Sequence, residues 1–156
     1  MAYNKYKHMT VDGIFFYRTI TEKRIKTILE SGPSFIGGGR FNPKGEFGAL
    51  YFSENQETAY KEWLRGRIDN EAVPCITATF KVVLSNVVQL INDKNHHITK
   101  WKTGRYTESQ ELGEKLYYNN VEGIVYDSAL ADGIKNIVVF PANLIKNSAI
   151  LYLGET

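Results

Sequence analysis

Three side chains could carry chemistry in this chain: Arg40, Glu62 and Ser128. Arg40 follows Gly37-Gly38-Gly39. Consecutive glycines expose backbone N–H groups, and bare backbone can approach an anion closely. A guanidinium on such a loop can grip a phosphate or carboxylate through two parallel bonds. Asn42-Pro43 stiffens the turn that follows. The same segment also fits an ordinary loop with a surface arginine. Glu62 falls at the apolar edge of a helical stripe, where a carboxylate serves as a solvated charge, an ion-pair partner or a catalytic group. Ser128 directly follows an apolar strand, where side chains line open clefts. An isolated serine there also reads as a cap or turn hydroxyl.

Other common chemistries lack their signatures. The glycine run does not satisfy the dinucleotide fingerprint, and no Walker A sequence occurs. No zinc-spaced set of cysteine and histidine appears. His96 and His97 are adjacent, which suits a solvated pair better than one metal site, so no metal is expected. Ser128 lies outside any G-x-S-x-G elbow, and no triad can be assembled around it. Cys75 sits within an apolar strand pattern and reads as a small buried side chain.

The elements that would position these residues follow from periodicity. Gly13 to Arg18 reads as a first strand. A helix is expected from Thr21 as N-cap, with Ile25, Ile28 and Leu29 facing inward, ending near Ser31-Gly32-Pro33. Gly37 to Gly45 can be neither helix nor central strand. Gly48 to Phe52 is a short buried strand. Ser53-Glu54-Asn55-Gln56 is a capping-box pattern that opens a helix to about Arg65, with Ala59, Trp63 and Tyr60 as candidates for its core face. From Pro74 to Leu84 the residues Ile76, Ala78, Phe80, Val82 and Leu84 alternate onto one face of a strand. The polar stretch from Asn92 to Arg105 reads as loop or ragged helix. Thr107-Glu108-Ser109-Gln110 repeats the capping-box pattern before a helix carrying Leu112 and Leu116. Strands are expected at Gly123–Asp127, Ile137–Phe140 and Ile150–Leu153. Strands outnumber helices without regular alternation, which predicts an α+β fold: a mixed, mostly antiparallel sheet with a few packed helices.

Composition sets the outer bounds. The chain has 156 residues, the size of one domain, and can bury a real core without disulfides or metal. Its single cysteine excludes an internal disulfide and fits a reducing cytoplasm. A net charge of +2 is too small to point to nucleic acid. No apolar run approaches the ~20 residues that cross a bilayer, and Met1 to Thr10 lacks the apolar stretch of a signal peptide, so no membrane partner is expected. Lys61, Arg65 and Arg67 lie along one expected helix, as a solvated face or as an anion-attracting rim.

Taken in order, these segments resemble the RES-domain family, named for an arginine, a glutamate and a serine. Phe16-Tyr17-Arg18 resembles its opening strand. Gly38-Gly39-Arg40-Phe41-Asn42-Pro43-Lys44-Gly45 resembles its G-G-R-W-N-P-x-G loop, with Phe41 where tryptophan is usual. Leu50-Tyr51-Phe52-Ser53 resembles its L-Y-x-S strand, and Glu57 to Glu62 resembles the helix with the glutamate. Gly123 to Ala129 resembles the serine strand, and Asn136 to Phe140 the closing N-x-V-x-F strand. The resemblance spans about 14–144 of a single catalytic domain, 1–156.

The resemblance implies a fold similar to the diphtheria-toxin-like ADP-ribosyltransferases, with NAD⁺ as substrate. It implies a toxin-like enzyme that cleaves the nicotinamide–ribose bond by hydrolysis or phosphorolysis. Mono-ADP-ribosylation of a protein target, or non-catalytic binding of NAD⁺ or ADP-ribose, are the alternatives. A cognate Xre-like antitoxin or immunity protein is the implied partner, and action in the cytoplasm, of the host or of a target cell, is the implied setting. Glu62, Arg40 and Ser128 are the implied catalytic residues. Arg18, Arg40, Asn42, Tyr51 and Ser128 are the implied NAD⁺-binding residues, with the Tyr51 ring face offered to nicotinamide.

Overall fold

The alternating apolar residues after Pro74 build the strand on which the rest is assembled. In the computed structural model, which describes residues 6–65, 73–90 and 106–156, this strand is β3 (Cys75–Gln89). It pairs antiparallel along its whole length with β1 (Lys7–Thr21), from Lys7↔Gln89 to Thr21↔Cys75. The first strand is therefore much longer than the Gly13–Arg18 core expected, and irregularities at Met9/Val11 and Asp12/Ile14 bend it.

The remaining strands are β2 (Leu50–Ser53), β4 (Gly123–Asp127), β5 (Lys135–Val139) and β6 (Ala149–Glu155). Their order is β1-β2-β5-β4-β3-β6, and β1 also pairs with β3. The circuit β1–β2–β5–β4–β3 thus closes on itself, with β6 outside it. All pairings are antiparallel except β3 with β4. The expected α+β class, with a mixed and mostly antiparallel sheet, is the class observed.

Strand alternation divides the apolar residues between two cores. Ile137 and Val139 of β5 enter the first, with Phe16, Phe52, Phe80, Val82 and Val125. Val138 and the following Phe140 enter the second, with Phe41, Phe47, Ile124, Tyr126, and Leu112 and Leu116 of helix α3 (Thr107–Tyr118). Each fully buried side chain of this size contributes about 1.5–3 kcal/mol. Two shorter helices, α1 (Gly32–Gly37) and α2 (Gln56–Arg65), precede α3 in the chain.

Several local expectations give way to tertiary contacts. Thr21 caps nothing; the residues after it form a 3-10 helix, Glu22–Thr27, that lays Ile25, Ile28 and Leu29 on the first core. Gly32-Pro33 opens α1 rather than closing a helix, because proline has no N–H to leave unsatisfied in a first turn. Ser53 stays in β2, and the cap of α2 comes from Asn55, whose Oδ1 accepts the Thr58 N–H at 2.8 Å. Thr107 is the first residue of α3, and Tyr106 at the N-cap makes no side-chain capping bond. Tyr60 is 43% exposed while Ala59 is buried. His96, His97 and Arg67 lie outside the described residues.

Candidate active site

A cleft of about 600 Å³ opens where the second core gives out, walled by β1, β2, α2, β4, β5 and the glycine loop. That volume suits a small organic ligand. Among its described lining residues, three arginines (Arg18, Arg40, Arg65) face one carboxylate, Glu62.

The loop that carries Arg40 is built from the inside. Asn42 is fully buried, and its Nδ2 donates to the carbonyls of Ser34 (3.0 Å) and Phe47 (3.1 Å). Its Oδ1 accepts the Tyr51 hydroxyl at 2.6 Å, and the Tyr51 oxygen accepts the Phe41 N–H at 2.9 Å. Asn42 is not among the residues that line the cleft, and the bonds its side chain makes shape the loop. Gly39 completes this lock: a Cβ there would stand 2.6 Å from Asn42 Oδ1 and 2.7 Å from the Tyr51 hydroxyl. Gly38, at φ +73°, takes a conformation that side chains disfavour. The anticipated capping residues of α3 hold the loop from the other side. Ser109 donates to the Arg40 carbonyl at 2.5 Å, and Gln110 to the Gly39 carbonyl at 2.7 Å.

Arg40 is only 7% exposed, its guanidinium carbon 4.9 Å from the centre of the Tyr126 ring and 5.7 Å from that of Phe41. Burial pulls its pKa below the ordinary arginine value, against the pull of Tyr126 and Glu62. Burial likewise pushes the Tyr126 and Tyr51 phenols up, so both remain neutral donors. Arg18 donates from Nη1 to the Tyr51 carbonyl at 3.4 Å, and its Nε is buried without a hydrogen bond. Burial, helped by Arg24, lowers its pKa to about 10. A charged donor kept buried and incompletely bonded is costly for folding and suits a ligand anion.

Glu62 accepts two bonds at Oε1, from Ser128 Oγ at 3.3 Å and from Asn136 Nδ2 at 3.1 Å. The structure thus brings together Arg18, Arg40, Tyr51 and Glu62, as the sequence suggested, while Ser128 meets the cleft only through Glu62. It adds Tyr126, Asn136, Ser53 and Trp63, none of which stood out singly. Ser53 and Asn136 sit inside two of the strand motifs that carry the resemblance, which was the available signal. The rim divides: Lys61 pairs with Glu57 at 3.1 Å, and Arg65 lines the cleft. Among the described residues no cluster could hold a metal ion, and no helix is long and apolar enough to cross a membrane, which says nothing of a β-barrel.

Fold and site together define a mixed-sheet α+β domain whose open cleft sets three arginines against one anchored carboxylate. The chain belongs to the RES domain family, whose model matches residues 16–152. The chain is similar in fold to a protein in the crystal structure of the M. tuberculosis MbcT–MbcA toxin–antitoxin complex. That similarity has a TM-score of 0.71 at 14% identity and covers 94% of this chain and 85% of that one. A search of curated proteins finds no match.

Proposed function

We propose that this protein is a toxin-like enzyme that cleaves the nicotinamide–ribose bond of NAD⁺. The observation that carries the reading is the pairing of one anchored carboxylate with three arginines in a single cleft. NAD⁺ has the matching polarity: a pyrophosphate for the arginines, and a cationic ring on a ribose for the carboxylate.

Nicotinamide leaves as a neutral base, so its departure needs no strong acid. Positive charge shifts onto the ribose as the bond breaks, as in other glycosyl transfers. Glu62, fixed through Oε1, retains Oε2 for a ribose hydroxyl and lies beside that charge. A preorganised carboxylate there stabilises the transition state more than the ground state. Arg40 and Arg18 hold the pyrophosphate, and Ser128 orients Glu62. Water then supplies hydroxide to the anomeric carbon, giving ADP-ribose, nicotinamide and a proton. Tyr51 and Trp63 line the cleft, where aromatic rings suit the planar groups. The similar fold within a toxin–antitoxin complex supports a cognate antitoxin, Xre-like, as partner, and action on cytoplasmic NAD⁺.

The test is incubation of the pure protein with NAD⁺ and chromatography of the products. Free nicotinamide with ADP-ribose supports hydrolysis. A ribosyl phosphate formed only when inorganic phosphate is added indicates phosphorolysis. Label moving onto a protein indicates transfer, and unchanged NAD⁺ sinks the enzymatic reading.

A further inference from the structure

β2, β5 and β4 lie side by side, and their register sets Ser53, Asn136 and Tyr126 in one row across the sheet. Asn136, in the middle, is 3% exposed and forms part of the cleft wall. Ser53 Oγ donates to its Oδ1 at 2.6 Å. That bond turns the other end of the amide, Nδ2, toward Glu62 Oε1 at 3.1 Å, as an acceptor-only carboxylate requires. Tyr126 is the cross-strand neighbour of Asn136 on its other side.

Two other asparagines, the buried Asn42 and the half-buried Asn143, behave differently. Asn42 and Asn143 direct Nδ2 at backbone carbonyls, Ser34 and Phe47 for one, Tyr117 and Val121 for the other. Those bonds tie chain segments together. Among the described residues the side-chain bonds of Asn136 run to other side chains, and one of these is the carboxylate of the cleft. Ser128, the other donor to Oε1, stands on the loop beyond β4 at the longer distance of 3.3 Å. The strand-borne amide is the firmer anchor.

We propose that Asn136, itself held by Ser53, is the positioning residue that fixes the Glu62 carboxylate for reaction. This rests on the reading of the cleft as a site of NAD⁺ cleavage. The amide sets which oxygen of Glu62 is occupied and which faces the ligand, so its loss acts on the chemical step and spares binding.

Asn136→Asp tests this, because it keeps the shape and removes the donor. With wild type and variant compared by nicotinamide release, kcat of the variant at pH 7.5 falls about 10- to 100-fold, the worth of one charge-assisted hydrogen bond. KM for NAD⁺ stays within about twofold, since an interaction made for the transition state is lost. Below neutral pH the paired carboxyls at 62 and 136 share a proton, the donor returns, and kcat of the variant climbs toward wild type as pH falls to 5. The other titratable side chains lining the cleft are Arg18, Arg40, Arg65, Tyr17, Tyr51, Tyr106 and Tyr126, and arginine and tyrosine do not change charge over that range. A merely structural asparagine predicts no such acid recovery. Ser53→Ala, a milder change, lowers kcat several-fold with KM unchanged, and carries the test if Asn136→Asp fails to fold. Active wild type with a folded Asn136→Asp at wild-type kcat, or without acid recovery, overturns the proposal alone; so does Ser53→Ala at wild-type kcat when Asn136→Asp does not fold. Wild type that releases no nicotinamide overturns the reading of the site, and the proposal with it.

Discussion

The guanidinium of Arg40 lies over the ring of Tyr126, 4.9 Å from its centre, and Tyr126 is the cross-strand neighbour of Asn136, whose Nδ2 donates to Glu62. The cation and the carboxylate of the cleft thus flank one pair of neighbouring strand residues. We predict that Arg40→Ala weakens NAD⁺ binding and that Arg40→Lys restores it only in part. Lysine keeps the charge but loses both the fork and the planar stacking on Tyr126. Calorimetry giving equal affinity for wild type and Arg40→Ala would remove Arg40 from the anion site.

Glu62→Gln should fold normally and lose about 10²-fold or more in turnover, the usual effect of removing one preorganised electrostatic group. Expressed in a bacterium, the wild type should deplete NAD⁺ and arrest growth, whereas Glu62→Gln should be harmless. NAD⁺ in extracts after brief induction decides the matter; arrest with unchanged NAD⁺ points to modification of a protein instead.

Arg18 should stabilise the fold when it is replaced. Its pKa is about 10 in the folded chain, against the ordinary 12.5. Between those values the unfolded chain holds more protons, so the contribution of this group to stability rises with pH. At neutral pH the buried charge costs about 3 kcal/mol. Arg18→Met should therefore melt higher than wild type at pH 7, the gap closing as pH rises through 10, and should lose the thermal shift that NAD⁺ gives wild type. A variant that melts lower at pH 7 would contradict this.

Helix α3 meets the glycine loop at Gly113, where a Cβ would collide with the Phe41 carbonyl oxygen. That oxygen is backbone and cannot swing aside. Gly113→Ala should cost about 1–3 kcal/mol, or roughly 4–8 °C for a loss near 2 kcal/mol, and should shift the Arg40 loop enough to weaken NAD⁺ binding. Melting and binding measured on one sample check both; an unchanged melt would mean the two segments part freely.

Legibility in the sequence followed the range of the forces involved. The strand at Ile76–Leu84 was readable because burial on one face of a strand imposes a period of two. The fold class followed from the count and spacing of such runs. Arg40 and Glu62 were readable as chemical types in suggestive settings. The closure of β1 onto β3 was not, since it joins residues near opposite ends of a long interval. Ser53 looked like a helix cap, a local use of a hydroxyl, and Ser109 was only an inner position of a capping-box pattern; the folded chain uses them across the sheet and across to the loop instead. Asn42 entered as a ligand contact through the resemblance alone; in the fold its side chain bonds to Ser34, Phe47 and Tyr51. Asn136 was legible only as the first residue of a strand motif in the resemblance, and its meaning depends on a residue 74 positions away.

That separation has a temporal side. The ribosome adds roughly 5–20 residues each second, so Glu62 is made about 4–15 s before the amide that anchors it. Until β5 has emerged and slotted between β2 and β4, the row of Ser53, Asn136 and Tyr126 does not exist. No shorter nascent fragment contains an assembled cleft, and the site comes into being as a late step of folding, together with the fold itself.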